Sequence, residues 1–229
     1  MKYFTSAIIA ASGNSTRMGL PISKQLIDLC GKPVIARTLT AFENCDVIDE
    51  IVVVCRECDM EEIKTIASEF SKVKTVVTGG DTRDKSVSNG VNACSENTQF
   101  FAVHDGARPL VTVSDIDKVV RTAFEKKACT LGTLVTDTIK VVDDDNVIIT
   151  TPDRAALRAV QTPQVFEREL YLKAIEYTVE NKLSVTDDCS MVEAMGERVE
   201  IVIGSAENIK LTTVTDIQFA QAILKSREE

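Results

Sequence analysis

Short apolar runs alternate along this chain with segments whose apolar residues recur at helical spacing, and that rhythm restricts the fold more than any other feature. Ser6–Ala10, Ile51–Val54, Val73–Val77, Phe100–Val103, Leu131–Val135 and Glu200–Ile203 read as core strands. Between them, Ile35, Leu39 and Phe42 fall at i, i+4 and i+7 behind Pro33, a residue suited to a first helical position. Ile63, Ala67 and Phe70 follow Asp59-Met60-Glu61-Glu62, which reads as a capping box. Val87 and Val91 repeat the spacing. So do Ile116, Val120 and Phe124 behind a cap at Ser114-Asp115-Ile116-Asp117, and Ile217, Ala220 and Leu224 in a helix from Thr213. Such alternation predicts an α/β, Rossmann-like fold: a mostly parallel sheet, helices on both faces, and ligands at the carboxyl ends of strands.

One stretch breaks the rhythm. Thr138–Val142 and Val147–Thr151 flank Asp143-Asp144-Asp145-Asn146, two β-branched runs around a polar turn. They predict a protruding β-hairpin arm at about 136–155 on one domain of residues 1–229, since no repeat, low-complexity tract or linker divides the chain. A lone hairpin is marginal in water, so the arm is expected to pack on something, and a second subunit is an economical candidate.

Composition removes several function classes. A net charge of −9 argues against a general nucleic-acid binder, which needs a basic face. No apolar run reaches the roughly 20 residues of a membrane helix. Met1–Ser6 lacks the long apolar region of a secretory leader and enters a strand-like run at once. Seven scattered cysteines fit reduced thiols in a cytoplasm better than a disulfide framework. Cys55 and Cys58 have metal-like spacing but no second pair, short of the four ligands of a structural zinc site.

The loop after the first strand, Ala11-Ser12-Gly13-Asn14-Ser15-Thr16-Arg17-Met18-Gly19, suits phosphate: small residues let N–H groups approach, and Arg17 and Lys24 supply charge. It is not a Walker loop, because five residues separate Gly13 from Gly19. Nor is it a dinucleotide fingerprint, because Ser15 stands at the third position, which disfavours a nicotinamide dehydrogenase. Further segments end strands or open helices: Gly79 to Ser86, His104-Asp105-Gly106-Ala107-Arg108-Pro109, Thr186-Asp187-Asp188, and Asn208-Ile209-Lys210. Each also has a plain structural reading. Ser86 and Thr186 could cap helices, Asp188 could answer a helix dipole, and His104 could be a satisfied buried histidine.

Taken in order, six segments resemble the 2-C-methyl-D-erythritol 4-phosphate cytidylyltransferase family of isoprenoid biosynthesis. They are the A-x-G-x-x-x-R-M loop with Lys24-Gln25, the G-G-x-x-R-x-x-S-V run from Gly79, His104-Asp105-x-Ala107-Arg108-Pro109, Gln161-Thr162-Pro163-Gln164, Thr186-Asp187-Asp188 and Asn208-Ile209-Lys210. The resemblance implies transfer of CMP from CTP to a polyol phosphate, with Arg17, Lys24, Lys210 and Arg154 as catalytic cations. It implies that Ala11, Ser12, Gly13, Gly80, Asp81, Arg83, Ser86, Asp105 and Gly106 hold CTP. It implies that Asp105, Arg108, Thr138, Arg154 and Thr162 contact the polyol phosphate, and that Asp105 holds Mg²⁺. The family's arm crosses into a partner subunit, which implies a homodimer.

The chain departs from the family's usual A-A-G-x-G loop at Ser12 and Ser15, has Arg158 where a tryptophan is usual, and has Gly106 for an alanine. The competing readings are a ribitol-5-phosphate cytidylyltransferase and a non-catalytic nucleotide-binding protein. Ala107, where ribitol enzymes typically carry valine, favours the erythritol enzyme over the first. The joint presence of Arg17, Lys24, Asp105, Arg154 and Lys210 disfavours the second.

Overall fold

The computed structural model describes residues 3–13 and 22–228. Its strands are β1 (Thr5–Ala10), β2 (Glu50–Cys55), β3 (Val73–Thr78), β4 (Phe100–Asp105), β5 (Ala128–Leu134), β6 (Val141–Val142), β7 (Ile148–Thr150), β8 (Arg158–Glu167) and β9 (Glu200–Ile203). Its helices are α1 (Val34–Glu43), α2 (Met60–Ala67), α3 (Arg83–Ala93), α4 (Val113–Lys126), α5 (Arg168–Glu180), α6 (Asp188–Ala194) and α7 (Val214–Glu228). Seven strands form one sheet in the order β3-β2-β1-β4-β8-β5-β9, parallel except for β8, which runs antiparallel to both β4 and β5.

Strand alternation splits the core into two layers. Ala7 and Ile9 face Leu39, Phe42, Ile63 and Val120, so α1, α2 and α4 cover one side. Ile8 and Val54 face the other side, with Val87, Phe101, Phe166, Tyr171 and Val192 under α3, α5 and α6. Phe42, Phe101 and Phe166 are each fully buried, and truncating such a ring to alanine costs about 3–5 kcal/mol. Gly90 lets α3 lie close on the sheet, since a Cβ there would come within 2.5 Å of Ile8 Cγ2. A third cluster, Leu29, Leu110, Leu211 and Leu224, packs α7 beneath the loop that carries Lys210.

The expected strands and helices form, with local corrections. Pro33 sits just before α1 as its cap, with ψ of 147°, one residue ahead of the first helical position. Asp59 makes no cap hydrogen bond. Its carboxylate is taken by a bidentate contact from Arg56 at 2.8 and 2.9 Å, and a 3-10 turn at Glu57–Asp59 leads into α2 instead. The cap of α4 is Thr112, whose hydroxyl accepts from the Asp115 N–H at 3.1 Å, in place of the Ser114 segment.

The arm is present as β6 paired antiparallel with β7. Its turn is closed by Asp143, whose carboxylate accepts from the N–H groups of Asp145 and Val147, with Asn146 at φ 61°. Val147, Ile148 and Ile149 are each more than half exposed. No helix among the described residues is long and apolar enough to cross a membrane.

Candidate active site

The parallel register brings the ends of β1, β2 and β4 level, with Ala10 opposite both Val54 and Asp105. Asp105 therefore stands at the carboxyl edge of the sheet, next to β8. A one-way hydrogen-bond chain fixes its backbone. The Asp105 N–H donates to Thr162 Oγ1 at 3.1 Å, and Thr162 Oγ1 lies 3.0 Å from His104 Nδ1. His104 Nε2 faces the Arg108 carbonyl at 3.3 Å. A carbonyl only accepts, so the ring proton belongs on Nε2, and Nδ1 accepts from Thr162. Burial pushes the His104 pKa down to about 3, which keeps the ring neutral. His104 is thus a satisfied buried histidine.

Three cations converge on the Asp105 carboxylate. Lys210 Nζ lies 2.8 Å from Oδ2, Arg108 Nε 3.6 Å from Oδ2, and Arg83 Nε 3.8 Å from Oδ1. Burial alone would raise the Asp105 pKa. The charges of Lys210, Arg83 and Arg108 outweigh it and hold the carboxyl down to about 2, so Asp105 is ionised at neutral pH. Each cation is itself anchored. Arg108 Nη1 donates to the Asn208 carbonyl at 2.8 Å, and Asn208 Nδ2 donates to Gln161 Oε1 and to the Thr162 carbonyl. That pins the loop carrying Lys210, which lies well beyond β9 and not at its end. Arg83 reaches the fully buried Asp188 at 2.7 Å, and Tyr171 donates its hydroxyl proton to the same carboxylate at 2.6 Å.

In front of this charged floor lies a cavity of about 900 Å³. Ser12 and Gly13 from the β1 loop, Gly79 to Arg83 with Ser86 from the β3–α3 turn, and Lys24, Asp105 and Lys210 form its walls. Thr82 caps α3 by accepting from the Lys85 N–H, so the helix N-terminus opens at this wall. The site combines fixed cations, a helix N-terminus and a buried, ionised carboxylate, the requirements for binding a polyphosphate and stabilising charge transferred along it.

The sequence profile of the 2-C-methyl-D-erythritol 4-phosphate cytidylyltransferase family matches residues 5–226. The chain belongs to that family. Among curated relatives, the 2-C-methyl-D-erythritol 4-phosphate cytidylyltransferase of Caldanaerobacter subterraneus subsp. tengcongensis is 42% identical over 96% of this chain and 98% of its own length. The enzyme of that name from Clostridioides difficile is 41% identical over 96% of this chain and 93% of its own length. The crystal structure of 4-diphosphocytidyl-2C-methyl-D-erythritol synthase from Anaerococcus prevotii superimposes with a TM-score of 0.89 at 32% identity, covering 98% of this chain and 97% of that one.

The residues that the cytidylyltransferase resemblance singles out separate into four groups. Ser12, Gly13, Lys24, Gly80, Asp81, Arg83, Ser86, Asp105 and Lys210 line the cavity. Ala11, Gly106, Arg108 and Thr162 lie behind that wall: Ala11 and Thr162 are buried, and the Gly106 carbonyl accepts from Thr38. Thr162 and Arg108 contact Asp105 and are not part of the cavity lining. Thr138 and Arg154 sit out on the arm, where Arg154 Nη1 donates to the Thr136 carbonyl at 2.7 Å, apart from this chain's own cavity. Arg17 lies outside the described residues. Sequence reasoning missed the anchor Tyr171, and it singled out Gln161 and Gln164 without an anchoring role. It also missed that Asp187 is the cap of α6, which frees Asp188 to face Arg83.

Proposed function

We propose that this cytidylyltransferase transfers CMP from CTP to 2-C-methyl-D-erythritol 4-phosphate, releasing pyrophosphate and forming 4-diphosphocytidyl-2-C-methyl-D-erythritol. The observation that carries the reading is the triad of Lys210, Arg83 and Arg108 around the ionised Asp105, in the floor of a cavity large enough for a nucleotide. An oxygen of the acceptor phosphate, already ionised at neutral pH, attacks the α-phosphorus of CTP. The bond from that phosphorus to the β-phosphate breaks, and pyrophosphate departs with the electron pair. No enzyme nucleophile and no proton transfer is needed, so the protein supplies alignment and positive charge. Lys24 and Lys210, both in the cavity lining, are the cations for the triphosphate. Asp81, Gly80 and Ser86 border the nucleoside end, while Ala11 and Gly106 shape the wall from behind.

Among the described residues no three carboxylate, histidine or cysteine groups are grouped so as to hold a metal ion by themselves. Asp105 nevertheless fits a magnesium ion that arrives with its nucleotide, because such ions take one or two carboxylates and fill their remaining sites with phosphate oxygens and water. Bound there, the ion would offset phosphate charge.

Thr138 and Arg154 serve the acceptor phosphate from across a homodimer interface, an assignment supported by the apolar, outward-facing arm and by their distance from this chain's cavity. A cytoplasmic site of action is supported by seven unpaired cysteine thiols. The test is pyrophosphate release with CTP and Mg²⁺, comparing methylerythritol 4-phosphate with ribitol 5-phosphate. Preference for the first supports the assignment; preference for the second keeps the chemistry and changes the substrate. Release with neither would sink it. An independent check is melting temperature, which CTP with Mg²⁺ raises and NAD does not.

A further inference from the structure

Ser12 stands where the family's loop usually carries alanine, and its hydroxyl has a partner that dictates its direction. Ser12 Oγ lies 2.9 Å from Ser86 Oγ and donates to it. A hydroxyl has one proton and two lone pairs. The Ser86 proton has backbone carbonyls to go to, Thr82 at 2.8 Å one turn back in α3 and Gly80 at 3.3 Å, and one lone pair accepts the Gly80 N–H at 3.0 Å. The remaining lone pair takes the Ser12 proton. Ser86 is thereby saturated by groups of the protein itself.

The consequence falls on Ser12. Its proton is committed away from the cavity, and it has no other hydrogen-bond partner among the described residues, yet it lines the cavity wall. What it offers the ligand is therefore a pair of acceptor sites and no donor. Its place is built for it. A Cβ on Gly79 would come within 2.5 Å of Ser12 Cβ and 2.7 Å of its Oγ, so a side chain at position 79 would displace this hydroxyl. A phosphate oxygen is also an acceptor and would be repelled there. A hydrogen-bond donor is matched, and the donors a cytidine nucleotide carries are the exocyclic amine of its base and its ribose hydroxyls.

We propose that the Ser12 hydroxyl is an acceptor for a donor group of the nucleoside, and that it takes over in this chain a contact which a saturated Ser86 cannot make. The inference rests on the cytidylyltransferase reading and adds a specificity residue to it. Because the polarity is inherited from Thr82 through Ser86, the site discriminates by hydrogen-bond direction. A carbonyl at the amine position, as in uracil, would face lone pairs with lone pairs.

The experiment measures kcat/KM for pyrophosphate release from CTP, UTP and 2′-deoxy-CTP. Release from CTP by the unaltered enzyme tests the general reading by itself. The inference is tested by comparing Ser12→Cys with the unaltered enzyme, because a thiol still offers Ser86 a proton but accepts weakly, whereas Ser12→Ala would free Ser86 to accept in its place. The weaker acceptor should lower kcat/KM for CTP about tenfold, the cost of leaving a buried donor unpaired. The fall should be smaller for whichever analogue lacks the donor: UTP if the amine is the partner, 2′-deoxy-CTP if the ribose hydroxyl is. A fall of less than about threefold with CTP, or an equal fall with all three nucleotides, overturns the proposal.

Discussion

Arg83 and Asp188, the first residues of α3 and α6, face each other with Nη1 2.7 Å from Oδ2, and the Asp188 carboxylate is wholly buried. Arg83 is a third exposed, so the pair lies between surface pairs worth under 1 kcal/mol and buried pairs whose rupture costs 3–5. Asp188→Asn should lower stability by about 2 kcal/mol, read as a shift in the urea midpoint. It should also weaken CTP binding, because Arg83 loses the anion that aims it. An unchanged midpoint with an unchanged KM for CTP would remove Asp188 from the site.

Lys24 and Lys210 should behave as charge-stabilising groups. Replacing either with alanine is expected to reduce kcat about 100- to 1,000-fold, the range for removing one preorganised stabilising group. For Lys24 the melting temperature should hold, since the side chain faces the cavity. Near-normal turnover by the folded variant would show that the triphosphate is held elsewhere.

The buried His104 makes a signed pH prediction. Its folded pKa of about 3 lies below the unfolded value of 6.5, so between those values the unfolded chain binds the extra proton. Stability from this group is complete above pH 6.5 and falls as pH drops toward 3. Between pH 7.5 and 5 the loss should be about 2 kcal/mol, and it should be absent in His104→Gln. Parallel pH profiles for the two proteins in denaturant titrations would contradict this.

Subunit mixing examines the arm. If Arg154 serves the partner's cavity, Arg154→Ala and Lys210→Ala each lose most of their activity as homodimers, yet mixed dimers contain one site with both residues intact. Random exchange of the two should restore activity to about a quarter of normal, as the pairing statistics of a two-fold dimer require. No recovery in verified heterodimers would place Arg154 in its own subunit's site. In the residual activity of the single variant, Arg154→Ala should raise KM for the polyol phosphate more than for CTP.

Much of this architecture is legible in the residue pattern, because β1, β2 and β4 are apolar runs buried on both faces. The strand β8 is not. Arg158, Gln161, Pro163 and Gln164 disguise it as a loop, since proline and polar residues are poor signals of a central strand. The glutamines are tolerated because each is satisfied. Gln164 donates to Asp187 and accepts from the N–H groups of Asp188 and Cys189, while Gln161 joins Ser205 to Asn208. Helix caps were misread for a related reason. Asp59 and Thr112 differ in whether a nearby arginine claims the side chain, and no local rule encodes that.

The antiparallel course of β8 has a mechanical consequence. It begins beside the arm at Arg158 and, four residues later, roughly 13 Å along, delivers Thr162 beneath Asp105. Two residues further it delivers Gln164 against the start of α6. No loop intervenes between these points; β5 pairs with the strand at Arg158–Val160 and again at Gln164–Phe166, and β4 pairs with it from Gln164 to Glu167. The arm is thus continuous with the strand that seats the Asp105 backbone, and a load applied outside the globule has a single-strand path to the floor of the site.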